Sequence, residues 1–456
     1  MPLLLLSPSF QIIYAWKQCS TGEGGGVCPD FATCCPTGTA GVSSCIPKRK
    51  HDPEDQGQCC NQSTGCGYGY ACAVTSASKE PYCQLQLYAP PTLTHDVPRY
   101  MLLSVTDPLM LQQIYGFPMD NFQLAYYSNM ESLITNNPQV LKRHAKVNIV
   151  LIIVHGSAFN ADDYLLAAQS SVPETLDPST VLIVAPYFVR PEDKNVTTTD
   201  KDREILRWVD NTGESGKQHS YRYGADAVNA PISSYAAVDT LLEYLSKAEV
   251  QFPNLKRAIV TGHSAGGQFV HRWALLSSSP VWDIGFLRDE EGHVRSRTLL
   301  YRSIHIRVVV ANPRSYCYLD ARRLIEGNLT TPDQQGIDYC QFYNTWEWGL
   351  DEGGDVHCHY RDAALHLVSK IDIANRYVRR DVVYLAGEFD TEALLDGCMT
   401  EDFQGSNRLE RSQRYYESLK QMHGREIHRW FQVSRSPHDH WLMYQSDSGR
   451  AALFSQ

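Results

Sequence analysis

The chain has 456 residues, of which 43% are hydrophobic and 20% are charged, and its formal net charge is −10. This composition is ordinary for a globular protein and allows one large domain or two domains. The densest basic stretch is KRK at 48–50, so the sequence carries no electrostatic footprint for nucleic acid or an anionic membrane surface. No apolar run approaches the ~18 residues that a transmembrane segment needs.

The chain begins with MPLLLLSPSFQIIYAWKQC, which contains an apolar stretch and has Ala15 at a suitable cleavage position. It lacks a positively charged start, and Pro2, Pro8 and Gln11 interrupt its apolar core. We interpret residues 1–18 as a signal peptide. The alternative is a frayed or wrongly assigned N-terminus.

Ten of the fourteen cysteines are concentrated in residues 19–83. This stretch is rich in Gly and nearly free of aliphatic runs, so it needs covalent cross-links to hold a structure. A zinc module is the alternative, but His51 is the only histidine there and adjacent Cys-Cys pairs are poor ligand pairs. We therefore expect a disulfide-rich module and a secreted protein. The ten cysteines are Cys19, Cys28, Cys34, Cys35, Cys45, Cys59, Cys60, Cys66, Cys72 and Cys83.

The stretch CPDFATCCP at 28–36 resembles the granulin repeat, whose strands are stacked by disulfides. A full granulin repeat has four adjacent Cys pairs and twelve cysteines, whereas this module has two pairs and ten. The resemblance therefore implies a divergent granulin-like module. A hevein-like sugar-binding module is the alternative, in which Tyr68 and Tyr70 of CGYGYAC would stack on sugar rings. Either kind of module could contact a carbohydrate or a protein.

Residues 84–99 carry three prolines and predict an extended linker between this module and a second domain at 100–456. Three Asn-x-Ser/Thr sequences could accept glycans and add weak support for secretion. They begin at Asn61, Asn195 and Asn328.

From about residue 100, short apolar β-branched runs alternate with amphipathic helical patterns. This alternation is typical of an α/β fold with a mostly parallel sheet and helices on both faces. The predicted strands are 146–154, 180–188, 257–262, 306–313, 381–387 and 426–433. The predicted helices are 160–169, 234–248, 266–276, 408–421 and 446–454. Residues 314–378 are irregular with no clean strand, and 189–233 form a long polar stretch that could border a site.

The stretch VTGHSAGG at 260–267 lies where a predicted strand turns into a predicted helix. That context favours an exposed, strained serine as nucleophile at Ser264. Side chains at Gly262 and Gly266 would clash with the neighbouring strand and helix. The following helix also directs its N-terminal amides at the group that Ser264 would attack.

A serine hydroxyl needs a histidine base, which in turn needs a carboxylate to orient it. In a parallel sheet, these partners are expected just past the carboxyl ends of later strands. Asp390 and His438 each follow a predicted strand, so Ser264, Asp390 and His438 occur in a suitable order. Glu388 is the alternative acid and His440 the alternative base.

With VTGHSAGG, LAGEFD at 385–390 and SPHDHWLM at 436–443, the chain from about residue 100 resembles the α/β-hydrolase superfamily. The resemblance implies an eight-stranded, mostly parallel sheet, hydrolysis through an acyl-enzyme and a cap inserted at about 314–378. It favours Asp390 and His438 over their alternatives. It also implies an oxyanion hole from the amides of Ala265 and of Ser157, the latter in an H-G-x sequence.

Several other features have simpler interpretations than a second site. Asp162 and Asp163 suit the N-terminus of a helix. Neither the His-x-His of the last loop nor HCHY at 357–360 has a third metal ligand placed by sequence. Four later cysteines could form two disulfides in any of three pairings, and five aromatic residues of the insertion could line a pocket or simply pack. The cysteines are Cys317, Cys340, Cys358 and Cys398, and the aromatic residues are Tyr316, Tyr318, Tyr343, Trp346 and Trp348.

The sequence therefore predicts a secreted serine hydrolase that acts on a small-molecule, glycan or lipid carboxylic ester. This chemistry requires no metal and no organic cofactor. A peptidase or an acyltransferase on the same fold is an alternative, because the pocket rather than the triad selects the acyl and leaving groups. A non-catalytic protein that binds a carbohydrate or a protein is the alternative from another class.

Overall fold

The computed structural model divides the chain into two compact units, residues 1–101 and 102–456. In the second unit it describes residues 113–133, 143–209, 217–248, 251–282, 304–332, 340, 342–351, 353, 356, 358–394 and 401–455. In the first unit it describes the backbone of eight short strands. Residues 1–15, most of the predicted linker, Asn61 and Cys398 lie outside the described residues.

The described residues of the first unit form four antiparallel hairpins in succession. Their strands are β1 (Trp16–Gln18), β2 (Val27–Pro29), β3 (Ala32–Pro36), β4 (Ser43–Pro47), β5 (Gln58–Cys60), β6 (Thr64–Cys66), β7 (Tyr70–Val74) and β8 (Pro81–Leu85). The register sets Cys34 opposite Cys45 and Cys72 opposite Cys83. Strand β6 also contacts β4 and β8. Disulfides and a granulin-like identity for this module remain predictions.

The second unit begins with strands β9 (Tyr115–Met119), β10 (Phe122–Ser128), β11 (Ile149–Val154), β12 (Val181–Tyr187), β13 (Glu204–Ile205), β14 (Arg257–His263) and β15 (His305–Ala311). It continues with β16 (Arg323–Ile325), β17 (Asn328–Thr330), β18 (Asp381–Gly387) and β19 (Arg429–Val433). Its helices are α1 (Ala161–Ser171), α2 (Ser234–Lys247), α3 (Ala265–Leu276), α4 (His359–Leu367), α5 (Lys370–Val378), α6 (Glu401–Gln404), α7 (Arg408–His423), α8 (His440–Gln445) and α9 (Asp447–Phe454). Among the residues that the structure describes, no helix is both long and apolar enough to cross a membrane.

Among the described residues of the second unit, the main sheet has nine strands. Its path runs β10-β12-β11-β14-β15-β18-β19, with β9 and β13 also paired to β10. Strand β10 is antiparallel to β9 and β12, whereas all pairs from β12 to β19 are parallel. The predicted α/β-hydrolase fold with a mostly parallel sheet is therefore confirmed. The ninth strand arises because the two-residue β13 joins the edge of the sheet.

Apolar residues explain why the central strands lie inside the molecule. All six residues of β11, IVLIIV, are buried, as expected for a parallel strand covered on both faces. One apolar layer, which includes Phe269 and Trp273 of α3, packs on one face of the sheet. A second layer includes Leu165 of α1 and Leu453 of α9. Every residue of α3 is buried, so this helix is fixed firmly behind the sheet.

The predicted insertion at 314–378 is more regular than expected. It contains the hairpin β16–β17 and the helices α4 and α5, so the expectation of an irregular segment without a clean strand was wrong. Tyr316, Tyr318, Tyr343 and Trp346 are buried, which matches the packing alternative rather than a pocket lining. Trp348 is partly buried.

The prediction of two disulfides among the four later cysteines was also wrong. Cys317 and Cys358 are buried free thiols, while Cys340 is disulfide-bonded. The Cys358 thiol donates to the Gly224 carbonyl at 2.8 Å and accepts from the Arg361 amide at 3.2 Å, so it caps α4 instead of forming a cross-link. Burial raises the pKa of both free thiols to about 12, which keeps them protonated at neutral pH.

Candidate active site

Ser264 lies at the sharp turn between β14 and α3. Its backbone has φ 59° and ψ −117°, in the left-handed half of conformational space, and its amide donates to the Ala311 carbonyl at 3.0 Å. A Cβ atom at Gly262 would lie 2.4 Å from the backbone of Gly266, and one at Gly266 would lie 2.2 Å from the Val154 carbonyl oxygen. The unfavourable backbone conformation of Ser264 costs on the order of 1–3 kcal/mol, and strain of this kind is typical of functional sites.

Asp390 and His438 meet beyond the ends of β18 and β19. The Nδ1 atom of His438 lies 2.6 Å from Oδ2 of Asp390, whose side chain is only 1% exposed. Burial lowers the pKa of His438, and the bond to Asp390 offsets part of that effect. The imidazole is therefore neutral at pH 7. Because Nδ1–H donates to the carboxylate, Nε2 is the unprotonated nitrogen.

The alternative acid, Glu388, points elsewhere. Its side chain accepts hydrogen bonds from the Ser434 hydroxyl at 3.0 Å and from the Arg435 amide at 2.6 Å. Those contacts hold the turn that carries Arg435, whose φ is 54°. Glu388 therefore supports the histidine loop, while Asp390 contacts His438 itself.

The alternative base, His440, has a carboxylate of its own. Its Nε2 lies 3.0 Å from Oδ2 of Asp163, and its ring stacks on Tyr164 with 4.1 Å between ring centroids. Asp163 also accepts a hydrogen bond from the Trp441 indole at 3.0 Å. Asp162 and Asp163 lie in the first turn of α1 as predicted. The contacts of Asp163 to the histidine loop were not predicted.

His263 connects the nucleophile turn with the histidine loop. Its ring lies 4.5 Å from that of His438 and 6.0 Å from that of His440, between centroids. Its Nδ1 is 3.3 Å from the Tyr164 hydroxyl, and burial holds its pKa well below the usual value. Within the described part of the chain, Ser264 Oγ is not hydrogen-bonded to His438, and such bonds often tighten only when substrate binds.

The loop after β11 lies next to Ser264. A Cβ atom at Gly156 would be 3.7 Å from Cβ of Ser264. The Ser157 amide donates to no backbone carbonyl of a described residue, and Ser157 is exposed. Ala265 begins α3, where the first amides have no intrahelical acceptor. The amides of both predicted oxyanion donors thus lack a backbone acceptor among the described residues, and their role as donors stays a prediction.

Buried contacts fix the shape of this loop. His155 accepts a hydrogen bond from the Phe188 amide at 3.2 Å and donates through Nδ1 to the Gly156 carbonyl at 2.8 Å. Burial lowers the pKa of His155 to about 4, so its ring stays neutral. The Tyr221 hydroxyl lies 3.0 Å and 2.9 Å from the carbonyl oxygens of His155 and Gly156. Tyr221 comes from the long polar stretch at 189–233.

Sequence reasoning missed four supporting residues, which are Asp163, Tyr221, His263 and Arg408. Arg408 Nη1 lies 3.3 Å from Oδ1 of Asp390, opposite the oxygen that faces His438. Only His263 carried a sequence signal, because it occupies the variable position before the motif serine. The other three lie on elements whose packing against the site is set by the tertiary fold.

Two residues of the HCHY stretch, Cys358 and His359, line a separate cavity of about 580 Å³. His359 contacts the buried Asp226 carboxylate there, and Cys358 lies in the same wall. None of the residues around Ser264 lines this cavity. No group of three or more His, Cys, Asp or Glu side chains is placed to hold a metal ion among the described residues.

No protein-family model matches the chain, and the search of curated proteins found no match to it. Solved structures that resemble it include poly(aspartic acid) hydrolase-1 from Sphingomonas sp. KT-1, at 19% identity and a TM-score of 0.41, over 73% of this chain and 96% of that one. The LpqC poly(3-hydroxybutyrate) depolymerase from Bordetella parapertussis is similar at 20% identity and a TM-score of 0.42, over 74% and 89%. Est1E from Butyrivibrio proteoclasticus is similar at 13% identity and a TM-score of 0.32, over 74% of this chain and 96% of that one.

Proposed function

We propose that the protein is a serine hydrolase of the α/β-hydrolase superfamily that cleaves carboxylic esters through an acyl-enzyme. The observation that carries the proposal is the strained Ser264 at a helix N-terminus. Its chain neighbour His263 packs against the ring of His438, which the buried Asp390 orients. Each of the three follows the carboxyl end of a sheet strand, where ligands bind in open α/β sheets.

In the proposed mechanism, Ser264 Oγ attacks the acyl carbonyl carbon while His438 Nε2 takes the hydroxyl proton. Asp390 holds the ring in the tautomer whose Nε2 is free and stabilises the imidazolium that forms. The imidazolium then gives its proton to the leaving alcohol. Water, activated by the same histidine, releases the acid and restores the serine.

The tetrahedral intermediate places a negative charge on the former carbonyl oxygen. We propose that the amides of Ala265 and Ser157 bind that oxygen from the two sides of the nucleophile. The first turn of α3 adds a favourable dipole at the same point. Tyr221 supports the arrangement, because it contacts the two carbonyls that precede Ser157.

A purely binding role is less favoured by the local backbone. A non-catalytic protein would gain nothing from the unfavourable conformation of Ser264 or from two glycines packed directly against neighbouring backbone. Peptidase and acyltransferase activities use the same machinery and remain alternatives. Substrate screens should therefore start with short- and long-chain acyl esters.

We propose that the protein works in an oxidising extracellular environment. The support is the density of cysteines in residues 19–83 and the hairpin register that sets Cys34 opposite Cys45. Asn195 and Asn328, the two described acceptor sites for glycans, are exposed. A secreted enzyme of this kind would meet its ester substrate outside the cell.

The first test is labelling of the intact, oxidised protein with a fluorophosphonate probe, followed by peptide mapping. We expect a single adduct on Ser264, because only an activated serine attacks phosphorus at a useful rate. Ser264→Ala protein should remain unlabelled and lose at least ~1,000-fold in kcat/KM on acyl esters.

A Ser277→Ala variant is the matched control, since Ser277 ends the same helix and is buried. It should label normally. Undiminished turnover by folded Ser264→Ala protein would refute the assignment. Absence of any adduct on folded wild-type protein would favour the binding-protein alternative.

A further inference from the structure

Asp390 contacts two basic side chains at once. Its Oδ2 bonds to His438 Nδ1 at 2.6 Å, and its Oδ1 lies 3.3 Å from Nη1 of Arg408. The Arg408 side chain is only 12% exposed. A serine-histidine-aspartate mechanism needs only the histidine on this carboxylate. The arginine is therefore an addition that the proposed mechanism does not use.

Arg408 is held rigidly where it contacts Asp390. It is the first residue of α7, which Asn407 caps by accepting a hydrogen bond from the Glu410 amide. The Leu409 amide donates to the backbone carbonyl of Asp390 at 3.2 Å. The start of α7 and the turn that carries Asp390 are thus joined by one backbone hydrogen bond and one ion pair.

We propose that Arg408 is a positioning residue that fixes the rotamer of Asp390 and sets the lower pH limit of the reaction. The guanidinium occupies Oδ1, which leaves Oδ2 directed at His438. Its positive charge also opposes the addition of a proton to His438. The base therefore remains unprotonated, and usable, in more acidic solution than it would beside an unshared aspartate.

The other charged groups around His438 act on its pKa in both directions. Asp390 and Asp439 favour the protonated ring, while Arg408 opposes it. The ring of His263 lies against that of His438, and the ring of His440 lies against that of His263. Burial keeps His263 neutral. Arg408 itself is acted on by Asp390, by Arg314 and by Glu392. Arg408 is the one fixed cation that contacts the Asp390 carboxylate among the described residues.

This inference rests on the proposed function, and its test is the pH profile of kcat/KM on an acyl ester. Arg408→Gln keeps a hydrogen-bond donor but removes the charge, so the acidic midpoint should rise by about one pH unit. Arg408→Lys keeps the charge and should leave the midpoint within ~0.3 units of wild type. Arg414→Gln is the matched control, because Arg414 pairs with Glu410 on the same helix.

An acidic midpoint that does not move in Arg408→Gln protein, or that moves equally in Arg414→Gln protein, would overturn the inference. Should the Gln variant fail to fold, a shifted midpoint in the Lys variant would overturn it instead. Failure of the proposed function gives a different result. In that case Ser264→Ala protein would keep its turnover. If only the inference on Arg408 fails, Ser264→Ala protein is inactive but Arg408→Gln protein has an unchanged acidic midpoint.

Discussion

Two histidines two residues apart each contact an aspartate, but in different surroundings. The carboxylate beside His438 is 1% exposed, whereas the one beside His440 is 37% exposed. Charge interactions are stronger where water is excluded. His440 is also stacked on Tyr164 and bound to the first turn of α1. These differences suit His438 to proton transfer and His440 to support of the loop.

We therefore expect His438→Ala to lower kcat/KM on acyl esters by at least ~1,000-fold, because it removes the proposed general base. His440→Gln should lower it by less than ~10-fold while reducing the melting temperature. The kcat/KM and the melting temperature of both variants are measured side by side, with fluorophosphonate labelling as a further readout. Equal losses in the two variants would assign His440 a part in the chemistry.

The catalytic role of the three candidates stays a prediction, but the candidates could be named as single residues, since each follows a predicted strand. Their supporting residues could not. Arg408 begins a polar helix, and Asp163 looks like an ordinary charge at a helix start. Nothing in the sequence indicates that these two side chains face Asp390 and His440. Those contacts depend on how α7 and α1 pack against the sheet.

Among the elements, the nucleophile turn leaves little room for a larger side chain. A Cβ at Gly266 would lie 2.2 Å from the carbonyl oxygen of Val154, and backbone atoms of a central strand cannot move aside. We expect Gly266→Ala to destabilise the protein by about 3 kcal/mol or more, judged from its urea unfolding midpoint.

Gly424→Ala is the control for this substitution. Gly424 ends α7 with φ 63° and has no atom within 4 Å of a new Cβ. Only the strain of a left-handed backbone then opposes the alanine, and we expect that strain to lower the free energy of unfolding by about 1 kcal/mol. A Gly266→Ala protein as stable as the Gly424→Ala protein would show that the turn can relax.

Elements with a strong apolar period were predicted well, and β18 matches its predicted range of 381–387. The missed elements lack such a signal. Strand β9, YGFPM, contains both a glycine and a proline, which normally weaken a strand prediction. Helix α4 has one buried residue, Ala364, and is capped by the Cys358 thiol instead of a usual capping side chain. In both cases, tertiary packing outweighs local preference.

At the scale of the whole molecule, several histidines are buried in neutral form. Burial lowers the pKa of both His155 and His428 to about 4. The Tyr384 hydroxyl lies 3.1 Å from Nδ1 of His428, and Nε2 lies 3.2 Å from the Tyr377 carbonyl. In the unfolded chain these rings take up protons near pH 6.5, whereas in the folded protein they do not.

The free energy of unfolding should therefore fall as the pH drops below about 6.5, by about 2 kcal/mol for each such histidine at pH 5. Urea unfolding of the wild type at pH 7 and pH 5 measures the total fall in the free energy of unfolding between the two pH values. His428→Gln should reduce the difference between the two pH values by about 2 kcal/mol. His366→Gln, which changes an exposed histidine, should leave it unaltered. An unchanged difference in the His428→Gln protein would contradict this account.

The order of strands in the sheet also determines how the chain must assemble. Strand β11 pairs with β12, but its other neighbour is β14, so Ile149 faces both Val181 and Arg257 across the sheet. Contacts between residues so distant in the chain are slow to form, and large parallel sheets usually fold through populated intermediates. During refolding, α1 and β12 should pack on β11 first. The strained turn at Ser264 should form later, when β14 enters between β11 and β15.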